Sequence, residues 1–504
     1  MKTYRSINGI LAIMILLILL LQDLSISSGE VNNTIWPDFQ GTSSHTGFYD
    51  SEGPEGNGTS VVKTLDIIKS AGGVYMPPVI DDKHIYVSFT SFVTDGTDHI
   101  VCYDKNTLKV VWDYPLTGKT MTWGNVISGT TLIISTSKWH VFGKPTDTME
   151  GTLLGIDINT GEKKWEFVEK GNTMGIPTVY DGKVYVTTGG YYYRRGGTFA
   201  LCVDAETGKL VWKSDISERE VYPPSADDGV VIFPLKNGDI MAFSSSETVN
   251  KNIGTPKGKI LWDYTVSSLS NKLLSYVTIS HGKAYFTANT NSGGYLYSLD
   301  LKTGKEIWSS RIDGYVKEGN TVSNGTVYTM GMKEQNAKIS SLYAIDANTG
   351  KKIWSATSDK ALGGRPLSAT NGVYITGQNV SSGKNFMFRY SFEGNMIWKR
   401  TLNASTRNTG SFSDNKLYLI AFAGGWIEIF DGTWNGTKNS TDTVKQNFMT
   451  ANSEYYLLLV ILIAVVVAVI ILVKKGKLDV ARLIKLRKRI KNAKLSKKLR
   501  IRKK

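Results

Sequence analysis

The run Leu342-Tyr343-Ala344-Ile345-Asp346-Ala347-Asn348-Thr349-Gly350-Lys351-Lys352-Ile353-Trp354-Ser355-Ala356 decides the fold. Leu342, Ala344 and Asp346 alternate with Tyr343 and Ile345, the period of a strand with two distinct faces. Asp346 to Gly350 reads as a turn. The Asp carboxylate accepts backbone N–H bonds there, and Gly supplies the positive φ. Ile353 and Trp354 lie on the returning strand.

The chain repeats this hairpin. Clear copies place Asp157 with Gly161 and Trp165, Asp204 with Gly208 and Trp212, and Asp300 with Gly304 and Trp308, beside Asp346, Gly350 and Trp354. Looser copies end at Trp112, Trp262 and Trp398. Successive Trp residues are 53, 47, 50, 46, 46 and 44 apart, a period that signals a propeller or solenoid. The residue two before the Asp position is small in six copies: Cys102, Gly155, Cys202, Ala242, Ser298 and Ala344. Such a position suits close sheet-on-sheet packing, with Trp covering the seam between neighbouring blades. One such ring buries about 150–250 Å², and its loss costs about 3–5 kcal/mol. Recurrence of the Asp in every copy points to turn capping rather than catalysis.

Strands such as Gly182-Lys183-Val184-Tyr185-Val186 open each unit after an Asp-Gly or Asn-Gly hairpin turn. Seven full units fall near 73–119, 120–170, 171–218, 219–267, 268–314, 315–358 and 359–403. An eighth starts at Gly410 and lacks a Trp strand. A lone strand at 61–68 supplies it from the other end and removes the last open edge. The expectation is therefore an all-β, eight-bladed propeller of four-stranded antiparallel blades, with seven blades as the alternative.

Charge is confined to one end. The formal net charge is +15, and residues from Lys474 onward hold 16 Lys or Arg and a single acid, Asp479. That leaves 43 basic against 43 acidic residues before it, so the body offers no bulk attraction to nucleic acid. Lys2 and Arg5 precede an apolar run from Ile10 to Leu21, the pattern of a secretory signal over 1–28, with an uncleaved signal-anchor as its rival. Leu457 to Val473 is uncharged and apolar, and Lys474, Lys475 and Lys477 follow it. Residues 455–473 read as a single transmembrane helix with the propeller outside and the tail cytoplasmic. Between them lie a lead-in segment (29–60), the propeller (61–439) and a polar stalk (440–454). The tail, 474–504, places Leu483, Leu486, Ile490 and Ala493 among Lys and Arg, a basic amphipathic helix suited to anionic lipid. Seven N-x-Ser/Thr sequons, Asn32, Asn57, Asn324, Asn379, Asn403, Asn435 and Asn439, agree with an extracellular body and mark candidate glycosylation sites.

Two cysteines make no disulfide framework. Cys102 and Cys202 occupy equivalent strand positions and read as buried packing residues. His45, His84, His99, His140 and His281 are scattered, without a metal-ligand pairing, and there is no nucleophile elbow or P-loop. Two stretches break the repeat. Tyr191-Tyr192-Tyr193-Arg194-Arg195 and the pair Trp123 and Trp139 are candidate contacts for a protein or glycan partner.

The Asp-x-x-Thr-Gly-x-x-x-Trp units resemble those of the pyrroloquinoline-quinone (PQQ)-type propellers. Trp36-Pro37-Asp38-Phe39-Gln40-Gly41, with His45-Thr46-Gly47 after it, is similar to the opening of their BamB-like non-enzymatic members. The likeness spans roughly 35–432. It implies the eight-bladed fold and two functional alternatives. An enzyme of this kind implies a vicinal Cys-Cys pair over PQQ, a Glu/Asn/Asp calcium cluster and a catalytic Asp. This chain has no adjacent cysteines, so no cofactor is expected except under that alternative. A C-terminal span in place of an early lipid-bearing Cys resembles archaeal surface propellers. The expected function is a membrane-anchored, non-catalytic scaffold for protein or glycan partners. A PQQ-dependent oxidoreductase and an assembly or quality-control factor for secreted proteins are the alternatives. No small-molecule substrate is assigned.

Overall fold

A computed structural model describes residues 35–432, apart from 39, 57–58, 64–71, 74–75, 92–97, 117–119, 139–149, 190–197, 217–221, 236, 250–254, 267–268, 317–318, 334–338, 380–381, 403–409 and 421–425. Eight sheets form the blades of a propeller, antiparallel throughout except where Phe48–Tyr49 adds a parallel strand to Ala361–Ala369 of blade 7. Blade 6 is typical: Thr321–Ser323, Thr326–Met332, Ser340–Asp346 and Lys352–Ser358 pair in chain order. Blade 8 takes three strands from the end of the body, Ser411–Ser413, Lys416–Ile420 and Trp426–Phe430. Its fourth strand is Thr59–Lys63, paired antiparallel with Trp426–Phe430. The N-terminal strand therefore closes the ring, as expected, with its described part ending at 63 rather than 68.

The two faces of the quoted strand pack as its alternation predicts. Leu342 and Ala344 join a core with Val373 and Ile375 of the next blade. Tyr343 and Ile345 join one with Tyr285 and Leu296 of the preceding blade. Every blade is thus buried on both sides, which explains strands that are nearly continuous in apolar residues.

Antiparallel order gives the wheel two unlike ends. Turns between first and second strands, and the Asp turns between third and fourth, lie at one end, here the turn end. Connections between second and third strands, and from blade to blade, lie at the other, the loop end. The signal, stalk, transmembrane span and tail fall outside the described residues. Among the described residues no helix is long and apolar enough to cross a membrane.

Candidate functional site

Each repeated residue has a mechanical role. Asp346 Oδ1 accepts from Asn348 N, Thr349 N and Thr349 Oγ1 at 3.1, 2.7 and 2.8 Å. The Thr349 hydroxyl, followed by its backbone N–H, holds the carboxyl below the ordinary carboxylate range. Asp300 is lowered in the same way by Thr303, hydroxyl first, and Asp204 by Thr207. These carboxylates are turn caps.

The Trp rings form an outer belt. Trp112, Trp165, Trp262, Trp308 and Trp354 donate through Nε1 to Ile158, Ala205, Leu301, Ala347 and Phe392 carbonyls of the next blade, at 2.6–3.2 Å. The same rings lie on Gly161, Gly208, Gly304, Gly350 and Gly394, where a β-carbon would meet them at 2.5–2.8 Å. The small residues prove to have a nearer cause than sheet-on-sheet packing. Gly155 lies directly opposite Trp165 in its own blade, and a β-carbon there would come within 2.3 Å of the ring. Cys102, Cys202, Ala242, Ser298 and Ala344 face Trp112, Trp212, Trp262, Trp308 and Trp354 likewise. Both cysteines are free and buried, and burial pushes the Cys202 thiol up to about 12.

Trp212 departs from the pattern. Blade 4 replaces the Asp turn with a longer hairpin, Asp239–Val249 and Lys257–Thr265. Trp212 stacks on Phe243 at 5.3 Å instead, and Lys213 N donates to Pro256 O at 3.0 Å. Trp398 finds no such turn in blade 8. Its Nε1 donates to Glu55 O at 3.1 Å, and Arg389 Nη1 donates to the same oxygen at 2.8 Å.

An inner belt was not visible in the sequence. Thr178 Oγ1 donates to Pro224 O (2.6 Å), Ser225 Oγ to Val277 O (2.5 Å), Thr278 Oγ1 to Asn320 O (3.2 Å) and Ser411 Oγ to Pro78 O (2.6 Å). Each step runs from one blade's innermost strand to the next. A hydroxyl before a short hairpin was the available signal.

The lead-in segment, 36–56, is a strap laid over this belt at the turn end. Trp36 and Ile80 exchange backbone bonds at 2.7 and 2.9 Å. Ile127 N donates to Pro37 O, Ala226 N to Ser43 O, Ile279 N to Ser44 O and Ser368 N to Gly47 O, each at 2.8 Å, and Val322 N to Thr46 O at 3.0 Å. Val179 N reaches Asp38 Oδ2 at 3.2 Å, and Asn415 N reaches the Tyr49 hydroxyl at 3.1 Å. The strap thus touches all eight blades in order. Its Trp36 ring packs edge-on against Phe412 at 5.8 Å.

At the loop end, Arg365 is buried with its guanidinium 3.9 Å from the centre of the Tyr276 ring, and Tyr276 meets Tyr222 edge-on at 5.2 Å.

Several expected contact residues fall outside the described residues: Tyr191, Tyr192, Tyr193, Arg194, Arg195, Trp139, and the sequons Asn32, Asn57, Asn403, Asn435 and Asn439. The strands flanking 190–197 and 139–149 meet those gaps at the loop end. Trp123 lies on Thr120–Ser128 at a register shift between Thr122 and Gly124. Asn324 is exposed in a turn-end hairpin with φ 48°, and Asn379 is partly exposed at the loop end.

The donor set among the described residues does not fit PQQ and calcium. Among the described residues no three His, Cys, Asp or Glu come together as a cation site. The two cysteines sit in separate blades, each paired across from its own Trp. No step through that cofactor is derived.

These features define an eight-bladed propeller with tryptophan-docked repeats. A profile of the family described as outer membrane protein assembly factor BamB matches residues 54–174, 149–252 and 245–422, and the chain belongs to that family. It is 26% identical over 163 residues to the BamB of Burkholderia pseudomallei, covering 32% of this chain and 38% of that one. It is 24% identical over 188 residues to the tetrathionate hydrolase of Acidithiobacillus ferrooxidans, covering 35% and 36%. It is 25% identical over 182 residues to the dehydrogenase subunit of the quinone alcohol dehydrogenase of Gluconobacter oxydans, covering 32% and 23%. The matched stretches thus span well under half of these relatives. In structure it resembles BamB from Moraxella catarrhalis (TM-score 0.51, 18% identity, 73% of this chain and 98% of that one). It also resembles the quinohemoprotein alcohol dehydrogenase of Comamonas testosteroni (TM-score 0.58, 13% identity, 81% and 83%). At these identities the structural likeness speaks for the fold alone.

Proposed function

We propose that this protein is a membrane-anchored, non-catalytic propeller whose loop end binds a protein or glycan partner outside the cytoplasm. The observation that carries the reading is the placement of the strap. Residues 36–56 occupy the turn end, and Gly432, where the described chain stops, lies 3.6 Å from Glu55 N at its β-carbon position. Both approaches to the wheel are therefore at the turn end. The strands Lys183–Thr187 and Thr198–Asp204 have their open ends at the loop end, and connections on a rigid frame suit partner recognition. Anchoring through 455–473, contact of the basic tail with anionic lipid, and glycosylation of the sequons belong to the same proposal. The named relatives are bacterial, so an archaeal-type surface setting rests on the chain's own topology.

Family membership favours one refinement, a part in assembly or quality control of envelope proteins; the BamB relatives are named outer membrane protein assembly factors. The quinone-dependent alternative draws on the dehydrogenase relatives and lacks a matching donor set among the described residues. A photo-crosslinking residue at Lys333, exposed at the loop end, tests the proposal on the full chain in native membranes. Adducts with an envelope protein or glycoconjugate at Lys333, and none from Glu206 at the turn end, are expected. Adducts from Glu206 alone would overturn the assignment of the binding face.

A further inference from the structure

Three Asn-Gly pairs lie among the described residues, at 237–238, 324–325 and 371–372. Such a pair is chemically labile. The backbone nitrogen after an asparagine is placed to attack the side-chain amide carbon, and glycine, without a β-carbon, hinders that attack least. The fold treats the three pairs differently. Asn237 is held at both amide atoms, with Nδ2 donating to Asp239 Oδ2 at 2.6 Å and Oδ1 accepting from Asp239 N at 3.0 Å. Its neighbouring nucleophile is engaged as well, since Gly238 N donates to Leu235 O at 3.1 Å. Asn371 is held by the strap, its Oδ1 accepting from Gly53 N at 3.0 Å and its Nδ2 donating to Gly53 O at 2.7 Å. Gly372 beside it is walled in, with Tyr390 O 2.5 Å from its β-carbon position.

Asn324 has neither restraint. Its side chain is exposed, and among the described residues no hydrogen bond holds its amide. Asn324 and Gly325 are the two central residues of a hairpin turn closed by the Ser323–Thr326 pair, with φ +48° and +70°. Nothing lies within 4 Å of the Gly325 β-carbon position. The turn is tied to its blade through Ala347 N, which donates to Gly325 O at 2.9 Å. That carbonyl takes no part in the attack.

We propose that Asn324 is a site of spontaneous covalent modification, converting to aspartate and isoaspartate through a cyclic imide, while the hydrogen bonds of Asn237 and Asn371 protect them. Gly325 N bonds to Asn324 Cγ, the Cγ–Nδ2 bond breaks, and ammonia leaves with the proton that Gly325 N carried. Water then opens the five-membered ring. Opening at one carbonyl gives aspartate. Opening at the other gives isoaspartate, whose main chain runs through the former side chain and is one carbon longer. Either product adds a negative charge at the turn end. Isoaspartate also lengthens a two-residue turn whose twist is matched to its strands, which loosens the Ser323–Thr326 pair. Both products lack the Nδ2 to which a sequon glycan attaches, so glycan and imide are exclusive fates of one amide.

Peptide mapping by mass spectrometry tests this on the full chain, produced in cells without N-glycosylation so that the amide starts intact. After prolonged incubation in mildly alkaline buffer, the peptide holding residue 324 is expected one mass unit heavier, with isoaspartate identified by electron-transfer fragmentation. Conversion at Asn237 and Asn371 is expected to be about tenfold lower, because their local hydrogen bonds must open first. In denaturant the three rates should converge. Equal conversion of all three in the folded chain, or faster conversion at Asn237 or Asn371, would overturn the proposal. So would a gap that persists undiminished in denaturant, since the selection would then lie in the neighbouring sequence and not in the fold.

Discussion

Trp262 of blade 4 rests on Gly304 of blade 5 with no room for a side chain between them. A β-carbon at 304 would meet the indole at 2.5 Å, while the indole N–H donates to Leu301 O at 2.9 Å. Gly304 also has φ +68°. Gly325 shares that conformation, at φ +70°, but has nothing within 4 Å of its β-carbon position. The pair separates backbone strain from crowding. Gly325→Ala should cost about 1–2 kcal/mol for the left-handed conformation alone. Gly304→Ala adds the clash, a further ~1–3 kcal/mol. Chemical denaturation of both variants checks the ordering, and equal losses would refute the docking role.

Trp308 combines a ring contact with a hydrogen bond to Ala347 O at 3.2 Å. Trp308→Phe keeps much of the ring and drops one donor, while the Tyr285 hydroxyl still donates to Ala347 O at 3.1 Å, so it should cost about 0.5–1.5 kcal/mol, the net worth of one hydrogen bond. Trp308→Ala removes both and should cost about 3–5 kcal/mol. Unfolding midpoints of the two variants report the split.

The seam between blades 8 and 1 is built differently. The Thr59–Lys63 strand brings no Trp, and the matching turn position in blade 1 is Leu108 at φ +56°, packed against the core. Buried Lys105 takes over the bridging, with Nζ 2.9 Å from Asp414 Oδ2 and 3.2 Å from both Ser413 Oγ and Asp81 O. Asp414 is 37% exposed, so solvent screens the pair. Lys105→Met should then cost about 1–3 kcal/mol, mainly from hydrogen bonds to a charged group. Hydrogen exchange should rise first in the strands flanking this seam. A uniform rise across the wheel would refute the local role.

The turn caps predict an acid limit. Asp204, Asp300 and Asp346 are all lowered in the folded protein, so their contribution is complete above the carboxylate's unfolded value, about 3.9. It is lost as pH falls from there through the folded values. The urea midpoint should therefore drop as pH falls from about 4 toward 2, and Asp300→Asn with Asp346→Asn should flatten that drop. An unchanged slope in the double variant would remove the caps from the account.

Cys102 and Cys202 should resist thiol reagents in the native protein, because each is buried against a Trp and burial disfavours the thiolate. Two thiols should titrate only after denaturation. Rapid native labelling, or fewer than two thiols in denaturant, would contradict the packing.

The wheel was legible because its cause is local and repeated. Asp346, Gly350 and Trp354 announce a turn and a strand whatever surrounds them, and the missing eighth Trp strand pointed to the N-terminal closure. The inner belt was hidden because Thr178, Ser225 and Thr278 look like ordinary polar residues before a turn. Their partners are backbone carbonyls 42–52 residues away, which carry no side-chain signature. The strap was unreadable for the same reason, since most of its anchors are main-chain atoms. The small residues at 155 and 344 were placed correctly and explained at too long a range. Their constraint is the Trp directly across the same sheet.

The strap also fixes an order of events during synthesis. Residues 36–63 leave the ribosome before any complete blade, yet their seats are not complete until Phe430 has been made. Ring closure therefore waits on one of the longest sequence separations the body allows, which slows folding. Until then the growing chain exposes unpaired strand edges at both extremities, so a nascent product stopped short of blade 8 has nowhere to dock its own beginning.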